Sequence, residues 1–136
     1  MIAFDSIEVG QLLPELLTTP ISRTTLALYA CASGDHNPIH IDIDFARAAG
    51  MDDVFAHGML PMAYLGRLLT AWVPQRQIRS FDVRFTSIAH VGSRITCTGE
   101  VTEKIEYNNE KLVSVKLQAV DQHDDVKLTG SAAIVF

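Results

Sequence analysis

A chain of 136 residues with 48% hydrophobic and 20% charged side chains can bury about two-thirds of its unfolded surface in one core, and is too apolar for a disordered linker. Its 16 acidic and 11 basic residues leave a formal charge of −5, and the basic ones are scattered, which excludes a nucleic-acid-binding stripe. The start MIAFDSIEVG has neither the basic flank nor the apolar run of a signal peptide, and no uncharged apolar stretch reaches the ~18 residues needed to span a bilayer, so the sequence reads as one cytoplasmic domain over 1–136.

In chain order, the first helical pattern starts at Ser22 or Thr24, either of which can accept from the free N–H groups of a first turn. It runs through Leu26, Leu28 and Tyr29 and ends at Gly34. A second short helix is expected over 44–50, closed by Gly50. The third, from Gly58 to about Ala71, is apolar on nearly every side with Arg67 its one charge, so it is expected to be buried on most sides. Pro61 lacks an N–H and is tolerated only in a first turn, which places the start of this helix just before it. The N–H groups of Gly58 and Met59 then emerge at the positive end of the helix dipole, where an oxyanion would be stabilised.

The second half alternates apolar and polar residues in four runs, the signature of half-buried strands. Phe81, Val83 and Phe85 share a face; Ile95, Cys97 and Val101 share the next; then come Val113, Val115, Leu117 and Ala119, and last Val126, Leu128, Ala132, Ile134 and Phe136. Asn108-Asn109 and Asp124-Asp125 supply residues that tolerate the positive φ of tight turns. These features predict an α+β fold: an antiparallel sheet of sequential hairpins curled round the third helix. Cys31 and Cys97 are expected to be buried, reduced thiols.

Between the first two helices lies Ser33-Gly34-Asp35-His36-Asn37-Pro38-Ile39-His40. Asp35 and His40 are five apart across a proline, so no helix can pair them and only a shaped loop brings them together. Gly34 frees the chain to leave its helix, and Asn37 is held extended by the proline after it. Taken singly, Asp35 reads as a helix C-cap or Asx-turn residue and His40 as a satisfied core histidine; brought together, they are a candidate proton-transfer pair.

The stretch YACASGDHNPIHIDIDFARAAG followed by FAHGML resembles the signature of the MaoC-like (R)-specific enoyl-thioester hydratases and dehydratases. The resemblance extends through FDVRFTSIAHVG and implies a hotdog fold and a homodimer or paired subunits. It also implies an Asp–His pair, Asp35 and His40, acting on an acyl thioester, with Gly58 as oxyanion-hole glycine and Asn37 at the motif's asparagine. Some members carry a serine early in the central helix, and residues 57–69 here hold neither serine nor threonine, so a hydroxyl-assisted water is not expected. Reversible hydration of a 2-enoyl thioester to a 3-hydroxyacyl thioester needs two proton-transfer groups and an oxyanion donor. No metal, nicotinamide or flavin enters this reading, and neither GxGxxG nor a P-loop occurs.

The remaining polar residues read more quietly. Asn37 is expected to brace the loop, His36 to lie on the surface, and His57 to orient the chain entering the helix or to meet substrate. A metal set of His36, His40, Asp42 and Asp44 lacks helical spacing. Tyr64, Trp72 and Phe55 fit the core or an acyl tunnel, while Arg76, Arg79, Arg84 and Arg94 are candidates for substrate phosphates. A thioesterase and a non-catalytic partner subunit are the competing readings. The absence of Asp or Glu from residues 58–72 weighs against the first, and intact Asp35 and His40 against the second.

Overall fold

The computed structural model describes residues 2–136. Three helices, α1 (Arg23–Ser33), α2 (Ile43–Ala48) and α3 (Met59–Trp72), precede or pack against five strands: β1 (Leu16–Leu17), β2 (Ile78–Phe85), β3 (Thr96–Tyr107), β4 (Glu110–Val120) and β5 (Val126–Val135). The sheet is antiparallel throughout, in the order β1-β3-β4-β5-β2.

The hairpins β3–β4 and β4–β5 form as the alternation predicts. Asn108 and Asn109 take φ of 50° and 62°, and Asp124 takes 61°. The expectation of sequential hairpins fails at β2, which pairs with β5 rather than β3. Residues 86–95 carry the chain across the sheet, because neighbouring β3 already has β1 on its other side. Only two residues long, β1 is too short to leave an alternating pattern.

The core lies between the concave face of the sheet and α3. Cys97, Val101, Val113, Val115, Leu117, Ala119, Leu128, Ala132 and Ile134 meet Leu60, Leu65, Leu68, Leu69 and Trp72 from the helix. Contrary to the expectation of burial on most sides, α3 leaves Met59, Ala63, Arg67, Thr70 and Ala71 exposed along one flank. The sheet curls round one side only, and this flank, of mixed apolar and polar residues, is open in the single chain.

Helix α1 is capped by Ser22 and Thr25 in a reciprocal capping box and stops at Gly34, whose φ of 75° is left-handed. It buries Leu26 and Ala30. Cys31, one residue and about 100° further round, is therefore exposed rather than buried, while Cys97 is enclosed; both are free thiols. Burial pushes the Cys97 thiol up to about 12, so it is inert.

One buried cation escaped the alternation rule. Lys127 sits on β5 between Val126 and Leu128, yet is 2% exposed. Its ammonium donates to the Ile88 carbonyl at 2.9 Å and pairs with Asp125 and, at 3.0 Å, with buried Asp121. Burial works against the Asp121 carboxylate, but the N–H groups of His123 and Asp125 and the Lys127 ammonium outweigh it and hold its pKa below the ordinary value. A depressed carboxylate pKa stabilises above the unfolded value, and that contribution disappears as pH falls through the folded one. Lys127→Met strands Asp121 without its cation, and urea unfolding is expected to show a loss of about 3–5 kcal/mol. A loss under about 1 kcal/mol, the scale of a surface pair, would mean that Asp121 is solvated.

Candidate active site

The loop after α1 is built by its own side chains. Asp35 Oδ1 accepts from the Asn37 N–H at 3.2 Å, and Asn37 Oδ1 accepts from the Ile39 N–H at 3.1 Å. Asn37 thus caps the short 3-10 turn Pro38–His40, with Pro38 at its first position. This turn carries His40 inward, where it is buried. Asp42 then caps α2 through the N–H groups of Asp44 and Phe45, which occupies it elsewhere. His36 is exposed.

Residues 54–58 form the opposite wall. Ala56 N–H donates to Ala89 O at 2.9 Å, Phe55 bridges to His90, and Leu60 N–H donates to His57 O at 3.0 Å to start α3. His40 Nδ1 lies 2.7 Å from Phe55 O. A carbonyl only accepts, so Nδ1 carries the hydrogen and Nε2 keeps its lone pair free. His57 Nε2 lies 3.0 Å from Asp35 O, and the two imidazoles stack with centroids 4.0 Å apart.

The structure brings Asp35, His40 and His57 together, with one side-chain ligand atom of each within 4.8 Å of the others. A transition ion favours such donors. The set, however, recruits His57 and not the His36, Asp42 and Asp44 suggested by spacing, and each imidazole has one nitrogen engaged on a backbone carbonyl.

Burial, the largest influence, pushes the His40 pKa below the ordinary histidine value. The neighbouring His57 adds to this, while the Phe55 carbonyl and the Asp35 carboxylate work in the other direction. His40 is therefore a neutral imidazole near pH 7 with an unoccupied nitrogen, which suits it to accept a proton.

Gly58 is the N-cap of α3, with φ −55° and ψ −33°, so no left-handed geometry demands glycine. Space favours it: a Cβ here would lie 3.2 Å from the ring of Phe85, which would have to give by a few tenths of an ångström. Among the described residues the Gly58 N–H has no backbone partner. Gly58 itself is among the residues lining a cavity of about 330 Å³, together with Phe55, Pro61, Phe85, Ile88 and Leu128. Phe85, expected on the core face of its strand, is 53% exposed and forms part of this wall. Asp35 and His40 do not line the cavity, but Phe55, whose carbonyl lies 2.7 Å from His40 Nδ1, does. Of the arginines, Arg79 is paired with Glu110, and none lines this cavity.

These features coincide with relatedness. The MaoC-like domain family matches residues 8–123. Over 131 residues the chain is 28% identical to the mitochondrial 3-hydroxyacyl-[acyl-carrier-protein] dehydratase of Arabidopsis thaliana, covering 96% of this chain and 78% of that one. It is 27% identical over 131 residues to the (R)-specific enoyl-CoA hydratase of Aeromonas caviae, covering 95% of each. The structure of the R-hydratase PhaJ1 from Pseudomonas aeruginosa superposes with a TM-score of 0.84 at 28% identity, over 96% of this chain and 83% of that one. The fold is accordingly the hotdog fold, and the chain belongs to the MaoC-like domain family. It is an enzyme of the hydro-lyase class. Among the described residues no helix is long and apolar enough to cross a membrane.

Proposed function

We propose that this enzyme interconverts a 2-enoyl thioester and a (3R)-hydroxyacyl thioester by syn addition or removal of water, with coenzyme A or acyl carrier protein as the carrier. The observation that carries the reading is the convergence of Asp35 and His40 beside a helix start whose Gly58 N–H is free. In the dehydration direction, neutral His40 takes the alpha proton through Nε2. The electron pair moves into an enolate whose oxygen accepts the Gly58 N–H. The leaving beta hydroxyl takes a proton from Asp35, water departs and the double bond forms. Solvent exchange returns a proton to Asp35 and removes one from His40, and hydration runs the same steps backwards. The steps move protons and break one C–O bond with no net change of oxidation state, so this reading needs no cofactor. Asn37 and His57 support the pair without exchanging protons with substrate.

A crotonyl thioester assay on the purified chain tests this directly. The expected result is addition of water to give the (3R)-hydroxy product. Release of free thiol would point to a thioesterase, and no reaction to a non-catalytic partner subunit.

We also assign the working form as a homodimer or a higher even assembly. Strand β2 ends the sheet with one side of its backbone unpaired, and the flank of α3 with Met59, Ala63 and Thr70 is open. A second copy would cover both features, which an isolated sheet edge leaves exposed to chance association. Sedimentation at assay concentration should give an even number of chains, and a fully active monomer would contradict the assignment.

A further inference from the structure

Two histidines flank Asp35, and the structure separates their roles. We propose that His57 is a positioning residue that carries its hydrogen on Nε2 and clamps the Asp35 backbone and the His40 ring against the start of α3; this rests on the hydration reading above.

The tautomer follows from the partners. The Asp35 carbonyl has only lone pairs to offer, so at 3.0 Å the His57 Nε2 must be the donor. His57 is 1% exposed, and its Nδ1 is the buried side-chain polar atom left without a partner among the described residues. A proton there would be a buried donor facing nothing, which proteins avoid. It would also create a cation stacked 4.0 Å from His40 just when His40 takes up its proton. The titratable groups facing His57 are Asp35, His40 and Tyr29, whose ring meets it edge-on at 5.1 Å; those facing His40 are Asp35 and His57. None can accept from a protonated Nδ1, since that atom has no partner.

His40 is placed in the opposite way. Its engaged nitrogen is Nδ1, and its Nε2 is not sealed off as His57 Nδ1 is. Both rings therefore use one nitrogen to hold backbone, but only His40 keeps the other within reach of substrate. His57 also precedes Gly58, and its carbonyl accepts the Leu60 N–H that starts α3. One side chain and its own backbone thus tie the Asp35 loop, the His40 ring and the oxyanion donor into one body, and small displacements of such a body are felt strongly in turnover.

The test combines nitrogen NMR of the imidazoles with two variants. In the wild type at neutral pH, His57 should show a protonated Nε2 and a bare Nδ1, the tautomer its partners require. His57→Phe keeps a ring against His40 and loses the donor, whereas His57→Gln restores an amide N–H near the position of Nε2. With unfolding midpoints measured for both, the Phe variant should lose on the order of 10–100-fold in kcat with little change in KM, as expected for displaced catalytic groups. The Gln variant should recover most of it. A His57 that carries its proton on Nδ1 would overturn the proposal; so would a Phe variant with full turnover, or a folded Gln variant as slow as the Phe one. If the wild type added no water at all, the hydration reading would fall, and the nitrogen shifts would still decide the tautomer.

Discussion

Asp35→Asn and His40→Ala are each expected to leave the fold intact and to lower turnover by at least about 100-fold, the scale of losing a positioned acid–base group. Asp35 is exposed, and its side-chain contribution to the loop is the bond from the Asn37 N–H to Oδ1, which an asparagine Oδ1 can still accept. Its amide nitrogen cannot exchange a proton with a hydroxyl. His40→Ala removes the free Nε2 and the donor to Phe55 O, so some loosening of residues 54–58 accompanies the loss of chemistry. The double variant should be little slower than either single one, because two groups acting in one step fail as a unit. Folded single variants with near-normal rates would remove both residues from the mechanism.

The pH dependence carries a sign. Because burial depresses the His40 pKa, the neutral form persists below the ordinary histidine value of about 6.5. The acid limb of kcat/KM for dehydration should therefore fall below that value, not above it. Asp35 and His40 are close enough to couple, so the profile reports apparent constants of the pair. An acid limb above the ordinary value would mean that a negative charge dominates the His40 environment.

What could be read from the sequence was local. Gly34, Asn37 and Pro38 each act on the backbone within a few residues, and the loop they shape is the one found, with Asn37 capping the turn that carries His40. Pro61 located the start of α3 for the same reason. Alternation identified which strand residues share a face, but it says nothing about which strand lies alongside. The pairing of β2 with β5 depends on contacts between residues about 50 apart in sequence, whose closure has no local signature. Lys127 shows a second gap. A lysine at an outward position of a strand ordinarily reaches water, and its burial was set by Asp121 and the Ile88 carbonyl. The sequence leaves His57 between two roles because the deciding atoms, Asp35 O and the His40 ring, arrive from another loop. Phe85 had the alternation of a core residue, yet it is the last residue of β2, beyond which the core gives way to the cavity by Gly58.

That placement of Phe85 sharpens the remaining expectation, Gly58→Val. The glycine is in ordinary right-handed helical backbone, so valine is not excluded by φ. Its Cβ would press on the Phe85 ring, where even the first added carbon lies at 3.2 Å. Phe85 is half-exposed and can swing aside, which limits the cost in stability to about 1–3 kcal/mol, the usual scale of overpacking. The cavity beside it cannot be kept open in the same way. The added methyl groups and the displaced ring would occupy the space before the Gly58 N–H, the place assigned to the thioester oxygen. Loss of one oxyanion donor costs about 100–1,000-fold in turnover, because the hydrogen bond strengthens as charge builds on the oxygen. The effect should therefore appear in kcat as well as in KM, and Gly58→Ala should be intermediate, since one carbon needs only a few tenths of an ångström from the ring. Full turnover in Gly58→Val, or a bound substrate analogue with its carbonyl away from the start of α3, would assign the oxyanion to another donor. If KM alone rose, Gly58 would only be making room for the acyl thioester, because a donor that stabilises the enolate must show itself in the chemical step.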